Sequence, residues 1–100
     1  MSLKFKLDVD SVVPLIAVEK NRFLGDSAKE VARKIFVHLC QLDGSKTACQ
    51  FEFTIVGFSP ENKGIRYAYK GTRVKLDQPL VVTKGGNQIV FEYSNTVVEC

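Results

Sequence analysis

Residues Gly64 to Asp77 read GIRYAYKGTRVKLD. Ile65, Tyr67 and Tyr69 alternate with Arg66, Ala68 and Lys70. Gly71 interrupts the run, and Val74 and Leu76 then alternate with Arg73, Lys75 and Asp77. Two alternating runs about a glycine are a β-hairpin signature. In an antiparallel pair, directly opposed residues share a face. A two-residue loop at Lys70-Gly71 opposes Tyr67 to Val74 and Arg66 to Lys75, whereas one at Gly71-Thr72 opposes Tyr69 to Val74 and Arg66 to Asp77. Either register keeps the apolar set on one face and Arg66, Arg73 and Lys75 on the other; a three-residue loop would mix the faces. The stretch is therefore expected to be a two-faced ribbon, its aromatic side turned to a core and its basic side to a partner.

Upstream, Ser27-Ala28-Lys29-Glu30 is a capping box, in which the serine hydroxyl accepts from the Glu30 amide and the glutamate reaches back to the cap. Ala28, Val31, Ala32, Ile35, Phe36, Leu39 and Cys40 then recur at helical spacing. Lys29, Arg33, Lys34, His38 and Gln41 take the opposite side. This predicts one helix over residues 28–42, with Asp43-Gly44 as a left-handed stop. Leu3, Phe5, Leu7 and Val9 alternate with polar residues, as do Phe51, Phe53 and Ile55, which predicts half-buried strands. Ser11 to Pro14 reads as a turn, Leu15 to Val18 as a short strand, and Gly57 as a bulge or close approach before a loop at 59–64. Downstream, Gln78-Pro79 interrupts the chain, Leu80 to Thr83 is extended, Lys84 to Asn87 is a turn, and Ile89, Phe91 and Tyr93 mark another strand. Asn95 reads as a further turn before a last edge at Val97-Val98.

One helix and about six strands predict a single α+β domain over residues 1–100, a mainly antiparallel sheet or small barrel covered by one amphipathic helix. The expected core is Phe5, Leu7, Val31, Ile35, Phe36, Leu39, Phe51, Phe53, Ile55, Tyr67, Leu76, Ile89 and Phe91. The chain has 100 residues, 45% hydrophobic and 25% charged, which suits one soluble core. The longest apolar run near the N-terminus, Val12 to Val18, is broken by Pro14 and is too short to span a membrane; no signal peptide is expected. Cys40, Cys49 and Cys100 are scattered and odd in number, which predicts reduced thiols and an intracellular protein, with Cys40 a small buried hydrophobe.

Catalysis needs a nucleophile beside a base, paired carboxylates or a metal set. His38 is the sole histidine, and it sits two residues from Cys40, on a different helix face. Asp8 and Asp10 share a strand face as ordinary solvated acids do. Lys84-Gly85-Gly86-Asn87 lacks the context of a phosphate loop and reads as a hairpin turn. Neither an enzyme nor a cofactor or small-molecule site is expected.

Charge is more informative. The chain carries a net +3, yet Lys63, Arg66, Lys70, Arg73 and Lys75 fall together in residues 62–76 with no acid among them, and the remainder is slightly acidic. These five residues are candidate phosphate contacts, with Lys29, Arg33 and Lys34 extending the patch if the helix lies beside it. Tyr67 and Tyr69 could stack on bases, but their parity assigns them to the core.

Phe23-Leu24-Gly25-Asp26-Ser27, the helix with Ala28, Ala32 and Arg33, the stretch Tyr67-Ala68-Tyr69-Lys70-Gly71-Thr72-Arg73-Val74-Lys75-Leu76-Asp77-Gln78-Pro79, Gly85-Gly86 and the strand Ile89 to Tyr93 together carry a resemblance. Over roughly residues 20–98 the chain resembles the small monomeric non-histone chromosomal proteins of methanogenic archaea, and more closely their relatives in giant DNA viruses. The resemblance implies a barrel-like α+β fold, sequence-tolerant binding and bending of double-stranded DNA, and no enzyme activity. The archaeal members are strongly basic and use a tryptophan in the binding arm, which this chain lacks. The expected function is architectural DNA binding by a viral protein in the virion or viral factory. The alternative is a structural module, such as a minor virion or capsid component, that meets acidic virion proteins without touching DNA.

Overall fold

A computed structural model describes residues 2–44 and 49–100. The elements are β1 (Leu3–Val13), β2 (Arg22–Gly25), α1 (Ala28–Asp43), β3 (Cys49–Gly57), β4 (Arg66–Lys84) and β5 (Asn87–Glu99). The five strands form one sheet in the order β2-β1-β3-β4-β5, with every neighbouring pair antiparallel. The α+β class expected from the sequence is observed. The sheet is open rather than closed into a barrel, and its strands number five among the described residues.

Helix α1 forms where its signals lie. The Ser27 hydroxyl accepts from the Glu30 amide at 3.2 Å, and Glu30 Oε2 accepts from the Asp26 amide at 2.8 Å. Gly44, at φ 75°, ends the helix, donating to the Cys40 and Gln41 carbonyls. The apolar stripe Val31, Ala32, Ile35, Phe36, Leu39 and Cys40 is buried on the sheet against Phe5, Leu7, Phe23, Phe51, Phe53, Ile55, Tyr69 and Val97. Alternation in each strand places these residues on one face and leaves the other face of the sheet uncovered.

The central expectation needs correction. Gly71 does not turn the chain: β4 runs unbroken from Arg66 to Lys84, and Gly71 pairs with Phe51 on one side and Val97 on the other. A Cβ at Gly71 would overlap the Phe36 ring. The glycine is therefore a close-approach position, where the helix's largest side chain meets strand backbone. The hairpin turn lies instead at Gly85 and Gly86, with φ of 58° and 81°, between the paired Lys84 and Asn87. Two consecutive residues of positive φ are what a type I′ hairpin turn requires. Gln78-Pro79 falls within a bulge where residues 76–79 face Glu92 alone, and Asn95 lies inside β5 rather than at a turn.

Three smaller expectations also shift. Ser11 and Val12 sit in a bulge of β1 rather than a turn: Ser11 Oγ accepts from the Thr54 amide at 2.8 Å and donates to the Asp8 carbonyl at 2.6 Å. Leu15 to Val18 is not a strand, and the edge strand beside β1 is Arg22–Gly25. Cys40 and Cys49 are not separate reduced thiols, because the end of α1 folds back over the start of β3 and the two form a disulfide with a Cα–Cα distance of 6.1 Å. Cys100 is free and exposed.

Beyond Lys75 the ribbon of β4 and β5 leaves the body. No residue from 76 to 92 is buried. Ile89 and Phe91, placed in the core by their alternation, are 42% and 45% exposed because the helix does not reach them. The radius of gyration is 14.8 Å and the longest axis 42 Å, against about 13 Å for a compact chain of this length.

Candidate nucleic-acid interface

The uncovered face is read most simply across the strands. Arg22 of β2 opposes Lys6 of β1, Lys6 opposes Val56 of β3, and Val56 opposes Arg66 of β4. At about 4.8 Å per strand, this row carries three cations across roughly 14 Å. The neighbouring row on the same face is Leu24 and Lys4, continued by Phe58, whose amide donates to the Lys4 carbonyl at 3.0 Å. On the other side lie Asp8 with Thr54 and Ala68, then Glu52 with Lys70 and Val98.

These neighbours decide which charges are free. Arg66 Nη2 lies 2.8 Å from Asp8 Oδ2, and Lys70 sits directly across from Glu52. The exposed Arg66–Asp8 pair contributes at most about 1 kcal/mol to stability, but each of these acids offsets the charge of the cation beside it. Arg22, Lys6 and Lys4 have no acid opposite them. The strongest positive corner is therefore at β1 and β2, not on β4.

The eight sequence-derived candidates do not form one surface. Arg66 and Lys70 lie on the uncovered face. Because β4 is straight where a turn was expected, Arg73 and Lys75 have the opposite parity and sit on the helix-bearing side at the root of the ribbon. Arg73 is already engaged, with Nε donating to Asn95 Oδ1 at 2.8 Å and the guanidinium 5.7 Å from the Tyr93 ring centroid. Lys63 is exposed in the loop between β3 and β4. Lys29, Arg33 and Lys34 are exposed on the outside of α1, across the sheet from Arg66; Lys34 Nζ donates to the Leu24 carbonyl at 2.9 Å and lies 3.8 Å from Glu30. The helix thus does not extend a patch centred on Arg66.

Lys4, Lys6 and Arg22 were not singled out by the sequence. The alternation of β1 already marks Lys4 and Lys6 as outward, but their adjacency to Arg22 exists only once β2 pairs with β1. Tyr69 is buried, and burial raises its phenol above the ordinary range, with Glu99 and Tyr67 adding smaller pushes in the same direction. Tyr67 packs edge-on against Phe5 at 5.9 Å. Neither ring is presented to a ligand.

Among the described residues no cluster of three His, Cys, Asp or Glu side chains could hold a metal, and no helix is long and apolar enough to cross a membrane. The His38 ring packs against Phe23 at 6.2 Å. Comparison of the chain with protein-family models, with curated proteins and with solved structures gave no match.

Proposed function

We propose that this protein is a non-enzymatic, architectural DNA-binding protein of viral origin that grips duplex phosphates without reading sequence. The observation that carries this reading is the direct opposition of Arg22 and Lys6 on an exposed face, with Lys4 one row away and no acid opposite any of the three. Like charges opposed across a strand pair destabilise a sheet. A polyanion converts that repulsion into binding energy, because each phosphate neutralised also releases counterions. The resemblance to the archaeal chromosomal proteins and their giant-virus relatives points the same way.

The test is a titration of duplex DNA across salt concentrations. With contacts from Lys4, Lys6 and Arg22, log K falls against log salt with a slope of about −2.7. The double variant Lys6→Ala/Arg22→Ala brings the slope to about −0.9. A slope near zero, or no binding at low salt, overturns the reading.

The projecting ribbon favours a second reading, a structural module of a virion that binds protein. Leu80, Val82, Ile89 and Phe91 lie on one of its faces and Val81 and Val90 on the other, all exposed. An apolar, two-sided arm suits a protein partner better than a polyanion. Under this reading Val81→Thr/Val90→Thr removes the protein from virions, whereas Lys6→Ala/Arg22→Ala leaves it there.

A further inference from the structure

The corner of the uncovered face next to Lys4 holds an aromatic ring. Phe58 follows β3 and remains 40% exposed, although its loop is tied down on both sides. The Phe58 amide donates to the Lys4 carbonyl, and the Lys4 amide donates to Ser59 Oγ at 2.6 Å. The Ser59 amide donates to Asn62 Oδ1 at 2.9 Å, and the Gly57 amide to the Ile65 carbonyl at 2.9 Å. Ser59 and Asn62 are themselves buried. The backbone that carries the ring is therefore fixed, and little ordering of the loop is required when something stacks there.

Its surroundings specify what that is. Lys4, Arg22, Phe23, Leu24 and Phe58 line a cleft of about 310 Å³, at the small end of ligand-binding clefts. The Arg22 guanidinium lies 5.9 Å from the Phe58 ring centroid. The cleft thus brings two cations, Lys4 and Arg22, together with apolar Leu24 and the Phe58 ring, and Arg22 leads on into the row of Lys6 and Arg66. A flat ring attached to a phosphate matches this combination, and a strand of nucleotides matches its continuation along the row.

We infer that Phe58 is a stacking platform for an unpaired nucleobase, with Arg22 and Lys4 holding the phosphates beside it, so that the protein engages single-stranded DNA at this corner. The inference rests on the phosphate-binding reading of the uncovered face and adds a base contact to it. In a duplex the faces of the bases are covered by their neighbours, so the ring gains a partner only where a strand is open.

The test compares fluorescence polarisation of a labelled oligo(dT) and a labelled duplex on wild type, Phe58→Ala and Phe58→Tyr, each checked for folding by thermal melting. The expected result is a loss of about ten- to a hundredfold in single-strand affinity for Phe58→Ala, an unchanged duplex affinity, and retention of single-strand affinity by Phe58→Tyr. If Phe58→Ala does not fold, Phe58→Leu serves in its place, with the same loss expected. Unchanged single-strand affinity, or an equal loss on duplex, overturns the platform while leaving phosphate binding standing. Failure of wild type to bind either form at low salt removes the underlying reading instead. Thymidine monophosphate competing as well as oligo(dT) assigns the cleft to free nucleotides and overturns the strand proposal.

Discussion

Gly71 has no positive φ, so its glycine identity is explained by space rather than by backbone conformation. The Phe36 ring occupies the volume where a side chain would begin. Gly71→Ala is therefore expected to destabilise the fold by about 1–3 kcal/mol, the usual cost of overpacking a core, read as a lower urea midpoint with unchanged m-value. Phe36→Leu should recover part of the loss when combined with Gly71→Ala, since the two positions share one contact. The same residue marks the limit of sequence reading. A glycine between alternating runs fits a turn and a close approach equally well, and the feature that separates them, Phe36, lies 35 positions away along the chain. Once Gly71 is taken for a turn, every side chain beyond it is assigned to the wrong face. A turn at Gly71 puts Arg66 and Arg73 on one face; the continuous strand puts them on opposite faces.

Among the elements, those specified by local chemistry were legible. Helix α1 announces itself through its capping box, its apolar stripe and Gly44, and the true hairpin turn through Gly85-Gly86. Elements that depend on distant partners were not: β2 has only four residues and acquires its meaning by pairing with β1. The Cys40–Cys49 bridge belongs to this second group, because its two ends lie nine positions apart on different elements. Closing a loop of about ten residues stabilises by roughly 2.7 kcal/mol in the chain-entropy account. Reduction, or the Cys40→Ala/Cys49→Ala variant, is expected to lower the melting temperature clearly, while Cys100→Ser, at an exposed thiol, should leave it unchanged. Parallel thermal melts with and without reductant check this.

At the scale of the whole molecule, the body and the ribbon are expected to be separable. The ribbon contributes no buried residue between 76 and 92, and an isolated two-stranded hairpin has little stability of its own. Replacing residues 76–92 by a short glycine-containing loop should leave a body that melts cooperatively near the wild-type temperature. That body should keep the salt-dependent DNA binding assigned to Lys4, Lys6 and Arg22. A body that fails to fold would show that the ribbon supports the core; a body that folds but loses DNA binding would move the interface onto the ribbon. The alternation of the strands has one more consequence. Because the helix covers a single face, residues that hold the protein together and residues offered to a partner interleave along β1 and β3 without being shared. Substitutions on the uncovered face, away from its few cross-strand pairs, should therefore add independently to substitutions in the core. A lineage carrying this fold could change what it binds, one outward residue at a time, without passing through an unfolded intermediate.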